Sequence, residues 1–172
     1  MEGFINDRSK GKGIAFRKVA RGFIAVAETD GYGNLVGVKD IPLKYHGTGN
    51  KAKSEMSEII SKVVRYTRSK GKALCIEVLS FSKKKSICIR QGKKQYNQMI
   101  HMLDYSRYMK DCEDYTKTYG VRIYEVNPAY TSQIGRSKYA GKKKLTVHDA
   151  AAYVIARKGQ GYIDKKVYKI AA

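Results

Sequence analysis

The order of the predicted elements favours an α/β fold, a mixed sheet flanked by helices. A β-hairpin comes first, and helices then alternate with two further strands. Hairpin strands pair antiparallel, whereas strands joined through a helix pair parallel by crossover connections. The 172 residues have the length of one domain with a sizeable core. We expect this domain over residues 14–162, after a flexible basic lead-in at 1–13 and before a C-terminal tail at 163–172.

The opening hairpin is predicted from two β-like stretches around a turn. Residues 19–29 (VARGFIAVAET) form its first strand, DGYGN supplies the turn residues, and residues 35–43 (LVGVKDIPL) form the returning strand. Asp30 begins the turn sequence, where an aspartate commonly bonds to the turn backbone. We therefore interpret Asp30 as a turn residue.

Three helices are predicted from periodicity and stop signals. Residues 51–70 repeat apolar side chains at the spacing of one helix face, and Gly71 ends this helix. A second helix is expected over residues 96–119 and a last one over residues 145–158. Between these two helices, VRIYEV predicts a strand, and NPAYTSQIGRSKYAGKKK predicts a loop.

Glu77 interrupts the apolar run KALCIEVLSF, which predicts a strand buried on both faces. An ionised carboxylate is costly to bury without a partner. Glu77 is therefore expected at the end of the strand, in a pair with a cationic side chain, or at a metal or nucleic-acid site. The sequence leaves these alternatives open.

The charge of the chain indicates a polyanionic partner. Thirty-five Lys and Arg against fifteen Asp and Glu give a net charge of +20, which favours nucleic acid. There is no apolar run of the ~18 residues that a membrane-spanning helix needs, and no signal peptide, so we expect no membrane partner and a cytoplasmic location. The three cysteines lie far apart without a Cys-x-x-Cys pair, which predicts no zinc site.

Five segments of the sequence carry a more specific resemblance. They are AVAETDGYGNLV, CIEVLSF, KKQYNQMIHMLDYSRYM, VNPAYTSQIGRSKYA and LTVHDAAAYVIARKGQGY. In this order and spacing, they resemble the RuvC-like nuclease domain of the transposon-encoded TnpB (OrfB) family, which is related to the type V CRISPR effectors. The resemblance implies an RNase H-like (RuvC-like) fold and, for full-length members, RNA-guided cleavage of DNA.

The resemblance also implies where a catalytic site would lie. Family members hold two magnesium ions with three acidic residues, since two hard cations about 3.5–4 Å apart clamp the attacking and leaving oxygens of a phosphodiester. Glu77 matches the second acidic position and is the candidate metal ligand. Lys18 stands where the first-strand aspartate is expected, and a lysine cannot bind magnesium.

The third acidic position falls on the start of the last helix. His148 matches it and Asp149 follows, so Glu77, His148 and Asp149 are the predicted remnant of a catalytic site. Asp149 has a second interpretation, because Thr146 and Asp149 have the Thr-x-x-Asp spacing of a helix capping box.

Two further departures from the family pattern stand out. No cysteines follow VNPAYTSQ, as in a zinc-free branch of the family. The N-terminal part that grips guide RNA and target DNA in full-length members also has no counterpart. The resemblance therefore implies a RuvC-like domain alone, with a second copy or a separate subunit supplying the missing functions.

Two basic clusters are predicted to flank one edge of the sheet and to bind nucleic-acid backbone by counterion release. One follows the strand that contains Glu77, and the other precedes the last helix. The predicted residues are Lys83, Lys84, Lys85, Arg90, Lys93 and Lys94 in the first cluster, and Arg136, Lys138, Lys142, Lys143 and Lys144 in the second.

The sequence therefore predicts a nuclease-deficient, TnpB-like protein, associated with a transposon, that binds RNA, an RNA–DNA hybrid or DNA through a basic cleft. The alternative is an active, Mg²⁺-dependent RuvC-like DNA endonuclease that recruits Glu28, Asp30 or Asp149 in an unusual acidic set. A decayed remnant without function is a third hypothesis, but the intact periodicity of the helices argues against it.

Overall fold

A five-stranded mixed sheet is the centre of the structure, a computed structural model that describes residues 13–19, 22–45, 49–78 and 105–165. The strands are β1 (Gly13–Val19), β2 (Phe23–Thr29), β3 (Leu35–Pro42), β4 (Ala73–Glu77) and β5 (Ile123–Val126). Their order is β3-β2-β1-β4-β5; β1, β2 and β3 pair antiparallel, whereas β1, β4 and β5 pair parallel. The predicted mixed α/β sheet is confirmed.

Helices cover both faces of this sheet. Neighbouring residues of a strand point to opposite faces, and they belong to different cores. Ile14 and Ile76 pack with α1 (Asn50–Ser69) and α2 (Tyr105–Thr118). On the other face lie Ala15, Ala25, Ala27 and Cys75, against α4 (Val147–Gly159). Small side chains on both partners let α4 lie close to the strands.

The start of the domain differs from the sequence prediction. Residues 19–29 do not form one strand, because the chain turns at Gly22, which has a φ of +83° that favours glycine. β1 precedes this turn and β2 follows it, so the expected lead-in already contributes Gly13 to the sheet. β1 lies between β2 and β4, and its Ile14 and Ala15 are fully buried.

Several other sequence predictions are confirmed. The hairpin of β2 and β3, the helix after it, the strand containing Glu77 and the last helix are all present. The helix predicted over residues 96–119 is described from Tyr105 onward. The predictions for residues 79–104, including the first basic cluster, lie outside the described residues. Within the described ranges, no helix is long and apolar enough to cross a membrane.

The stretch NPAYTSQIGRSKYAGKKK is helical in part, so the prediction of a loop was wrong. It forms α3 (Thr131–Ile134) and continues as a π-helical segment (Gly135–Ala140). Ile134 and Tyr139 are buried in the core beneath α4, and this tertiary packing outweighs the loop-like composition. Gly135 allows the contact, because a Cβ atom there would lie 2.7 Å from the backbone carbon of Ala150.

Replacing Gly135 with alanine is expected to lower the free energy of unfolding by about 1–3 kcal/mol, because the added methyl group overpacks the contact with α4. Urea unfolding followed by circular dichroism measures the change. Gly141→Ala is the matched control, since a Cβ atom there meets nothing within 4 Å. Equal stability of both variants would contradict the close approach of Gly135 to α4.

The segment after α4 is fixed to the domain by Asp164. Its side chain is 1% exposed and accepts hydrogen bonds from Arg157 Nε at 2.7 Å and Tyr139 Oη at 2.8 Å. Lys138 Nζ lies 2.5 Å from the same carboxylate. Burial acts to raise the pKa of Asp164, but the hydrogen bonds from Arg157, Lys138 and Tyr139 outweigh it and lower the pKa. The packing of the domain therefore extends to Asp164, beyond the boundary expected at residue 162.

Candidate functional site

Glu77 is the last residue of β4, and it pairs with Val126 of β5. Only 8% of its surface is exposed, so the carboxylate is buried as the sequence predicted. The Tyr105 hydroxyl donates to the backbone oxygen of Glu77 at 3.4 Å. Burial and, to a smaller extent, the charges of Cys112 and Glu77 raise the pKa of Tyr108. Glu77 thus lies at the carboxyl end of the central strands, beside α2.

The register of β1 determines what stands opposite Glu77. Ala15 pairs with Cys75 and Phe16 pairs with Ile76, so one residue further along each strand Arg17 is level with Glu77. Lys18 pairs with Ile24 of β2. Whichever of these residues takes the first acidic position, the sequence GIAFRKV of β1 contains no carboxylate.

Ala15 of β1 shares a core with Cys75 of β4, whereas Ile14 packs with Leu74 and Ile76 on the opposite face. Ala15 is fully buried and packs with Cys75, and Cys75 and Glu77 point to the same face because they are two residues apart. The small apolar side chain of Ala15 therefore lies on the same face of the sheet as the Glu77 position. That face is covered by α4 through Ile155 and Ala156.

The start of α4 has the capping box predicted from the sequence. The Asp149 amide donates to Thr146 Oγ1 at 3.1 Å, and Asp149 Oδ2 accepts from the Thr146 amide at 3.3 Å. The Thr146 hydroxyl also donates to Asp149 Oδ2 at 2.7 Å. Asp149 is only 7% exposed, and its Oδ1 atom is buried without a hydrogen-bond partner in the described structure. One oxygen of Asp149 therefore serves the helix cap and the other does not.

Asp40 is a site residue that the sequence interpretation missed. It lies on β3, paired with Ala25 of β2, and its carboxyl group lies within hydrogen-bonding range of that of Asp149. Burial, and then the charge of Asp149, raise the pKa of Asp40. A signal was present in LVGVKDIPL, since Val38 and Asp40 share one face of a strand, but nothing in the sequence indicated that this face meets α4.

His148 precedes Asp149 and is half-buried. Its imidazole packs edge-on against the Phe23 ring, with the ring centroids 5.6 Å apart and an angle of 81° between the planes. Phe23 begins β2 and pairs with Val19 at the end of β1. His148 therefore lies above the β1–β2 end of the sheet.

Two acidic residues of the hairpin have local partners. Asp30 Oδ1 accepts from the backbone amides of Tyr32 at 2.9 Å and Asn34 at 2.8 Å, so its predicted role in the turn is confirmed. Glu28 forms an ion pair with Lys72 and accepts from the Tyr66 hydroxyl at 2.8 Å. Both carboxylates are engaged within the hairpin and its immediate surroundings.

The second basic cluster divides into two kinds of residue. Lys142, Lys143 and Lys144 are exposed in the turn just before α4, and Arg136 is exposed on the π-helical segment. Lys138 is half-buried, and its ammonium group pairs with Asp164. The exposed group at the start of α4, Lys142–Lys144, is called the α4 lysine group below.

The described residues do not fit the two-magnesium site that the family resemblance implies. Among them, no three His, Cys, Asp or Glu side chains converge to hold a metal ion. Glu77 is at the end of β4, whereas Asp149 faces Asp40 of the edge strand β3. The two carboxylates of the expected set are therefore not brought together with a third acidic ligand.

Solved structures share this arrangement of strands and helices. RuvC of T. thermophilus in complex with a Holliday junction substrate is 16% identical, covers 84% of this chain and 89% of its own, and has a TM-score of 0.52. A second Thermus thermophilus RuvC structure is 15% identical. The match covers 84% of this chain and 90% of the RuvC chain, and the TM-score is also 0.52. Cas12f1 in its complex with sgRNA and target DNA is 13% identical and has a TM-score of 0.51.

The match to Cas12f1 covers 91% of this chain but only 52% of the Cas12f1 chain, so this chain spans about half of that protein. No protein-family model matches the sequence, and no curated protein matches it. The likeness to RuvC and Cas12f1 confirms the predicted RNase H-like (RuvC-like) fold.

Proposed function

We propose that this chain is a nuclease-deficient, TnpB-like protein that binds nucleic acid through a basic surface at the start of α4. The observation that carries the proposal is the α4 lysine group, three consecutive exposed lysines in the turn before α4, in a RuvC-like domain whose first strand contains no acidic residue. The similar structures, with a Holliday junction in one case and sgRNA and target DNA in another, support nucleic acid as the class of partner.

The electrostatics of the chain support binding to the phosphate backbone. A net charge of +20 concentrates counterions and polyanions near the surface, and lysines that replace counterions give affinity that falls steeply with salt. Lysines act as point charges without the fork of arginine, so these contacts read little sequence. The bound form is expected to be RNA, an RNA–DNA hybrid or DNA with weak sequence preference.

The arrangement of acidic residues supports a protein that binds without cutting. A two-metal mechanism needs ligands that hold both cations about 3.5–4 Å apart. No residue of β1 is acidic, Lys18 stands where the family resemblance places the first aspartate, and one oxygen of Asp149 is engaged with Thr146 in the helix cap. The buried Glu77 is the observation that favours the alternative, an active Mg²⁺-dependent endonuclease with an unusual acidic set.

Association with a transposon and cooperation with a second copy or a separate subunit complete the proposal. The match covers 52% of the Cas12f1 chain, so about half of Cas12f1 lies outside the matched part. If recognition of a guide and a target requires such additional parts, this domain would act together with them.

Binding measurements test the proposal directly. Fluorescence anisotropy with labelled single-stranded RNA, an RNA–DNA hybrid and duplex DNA is expected to give saturable binding at low salt. Log affinity should fall linearly with log salt, with a slope of about −0.7 to −0.9 for each phosphate that a lysine neutralises. The absence of saturable binding to all three nucleic acids at low salt would refute the proposal.

A further inference from the structure

The buried oxygen of Asp149 needs an explanation that the helix cap does not give. Buried polar atoms in proteins nearly always have a hydrogen-bond partner, because desolvation without one is costly. Asp149 Oδ2 has the amide and hydroxyl of Thr146, but Oδ1 is buried and has no partner among the described atoms. The side chain as a whole is 93% buried, since its exposed fraction is 7%.

The group that Asp149 meets is a second acid. Asp40 approaches it from β3, and both groups are hydrogen-bond acceptors when ionised. Asp149 lies in the first turn of α4, where it accepts the capping bonds from Thr146. Burial is the first cause of the raised pKa of Asp40, and the charge of Asp149 is the second. In a chain with a net charge of +20, two adjacent carboxylates are unexpected.

We propose that Asp40 and Asp149 form a binding site for one divalent cation, which bridges β3 and the start of α4. Carboxylate oxygens suit hard cations such as Mg²⁺, Mn²⁺ and Ca²⁺, and Mg²⁺ is often held by one or two carboxylates with water completing its coordination. Asp40 is exposed, so ions reach the pair from solvent, while Asp149 Oδ1 supplies a buried oxygen that has no hydrogen-bond partner in the described structure. A cation there competes with a proton shared by the two carboxyl groups.

This site is separate from the position of Glu77. In the sheet order β3-β2-β1-β4, three strand spacings separate the strands of Asp40 and Glu77. At about 4.8 Å per spacing, the two backbones are roughly 14 Å apart, which is too far for one ion or for a pair of ions about 3.5–4 Å apart. The inference therefore stands whether or not Glu77 has a catalytic role.

The alternative to a bound cation is a positively charged side chain of the protein that neutralises Asp40 and Asp149. Arg17 pairs with Ala25, and Ala25 pairs with Asp40, so the register places an arginine two strands away at the same level. If the protein neutralises the two carboxylates with its own arginine, the wild-type chain will not bind a cation there. The Arg17→Ala variant distinguishes this arrangement from a metal site.

Titration with Mn²⁺, followed by electron paramagnetic resonance of the free ion, tests the proposal on the full chain freed of nucleic acid. We expect one saturable site in the wild-type protein. Asp40→Asn should weaken it at least about tenfold, since even residues that only support metal ligands change affinity by about 10–100-fold when replaced. Asp114→Asn, at an exposed position of α2, makes the same chemical change and should leave the affinity unchanged.

Thermal unfolding provides a second readout of the same site. Mn²⁺ should raise the melting temperature of the wild-type and Asp114→Asn proteins, because a ligand that binds only the folded state stabilises it, and should not raise that of Asp40→Asn. The proposal is overturned if the wild-type chain has no saturable Mn²⁺ site, if Asp40→Asn and Asp114→Asn bind alike, or if a site appears only in Arg17→Ala.

Discussion

Replacing Asp164 with alanine is expected to lower the free energy of unfolding by about 3–5 kcal/mol, the effect of removing one partner from a buried ion pair. The change leaves the guanidinium of Arg157 without its carboxylate, although this side chain is only 16% exposed. The loss of the carboxylate costs less free energy at Lys138, because this side chain is 35% exposed and water can hydrate its ammonium group. Chemical denaturation monitored by circular dichroism measures the change.

The same carboxylate makes a pH-dependent contribution to stability. Because the pKa of Asp164 is lowered in the folded state, its contribution is fully present above the usual aspartate pKa of about 3.9 and is lost as the pH falls through the folded-state value. The stability difference between wild type and Asp164→Ala should therefore shrink below about pH 4. Asp114→Ala, an exposed acid, is the control; a comparable loss in both variants would contradict the role assigned to Asp164.

Replacing the α4 lysine group with glutamine is expected to weaken nucleic-acid binding and to reduce its dependence on salt. Each phosphate contact that is lost lowers the slope of log affinity against log salt by about one unit, so the triple variant should lose about two to three units. The three side chains are exposed and form no ion pair in the described structure. Lys143 Nζ lies 5.8 Å from the centroid of the Tyr153 ring, and loss of this contact is expected to lower the free energy of unfolding by about 1 kcal/mol at most, so the variant should still fold.

A matched control for this variant lies on the opposite face of the sheet. Lys51, Lys110 and Lys117 are exposed on α1 and α2, and their replacement by glutamine changes the net charge equally. This control should retain nearly all of the wild-type slope. Equal losses in the two triple variants would indicate general attraction by the charge of the chain and would contradict a binding surface at the start of α4.

Much of the fold was predictable because its elements have strong local signals. The apolar periodicity of α1, the turn residues between β2 and β3 and the capping box of Thr146 and Asp149 each depend on residues close in sequence. The α3 and π-helical segment was not predictable in this way. Its stability comes from Ile134 and Tyr139 packing beneath α4 and from the close approach at Gly135, contacts that only the tertiary structure provides.

The candidate site was less predictable than the fold. The sequence indicated Glu77 as a buried carboxylate, and its position at the end of β4 agrees with that interpretation. The pairing of strands decides which β1 residue is level with it, and a shift of one residue exchanges Arg17 for its neighbour on the other face. Asp40 was missed because its meeting with Asp149 joins an edge strand to a helix more than 100 residues later in the chain.

The central claim, a RuvC-like protein that binds nucleic acid without cutting it, is tested most directly by a cleavage measurement. Wild-type protein and Glu77→Ala are incubated with single-stranded, duplex and branched DNA in the presence of Mg²⁺ or Mn²⁺, at salt concentrations where binding is saturated. We predict that wild type binds these substrates and produces no more cleavage than Glu77→Ala. Metal-dependent cleavage by wild type that Glu77→Ala abolishes would contradict the claim and establish an active endonuclease.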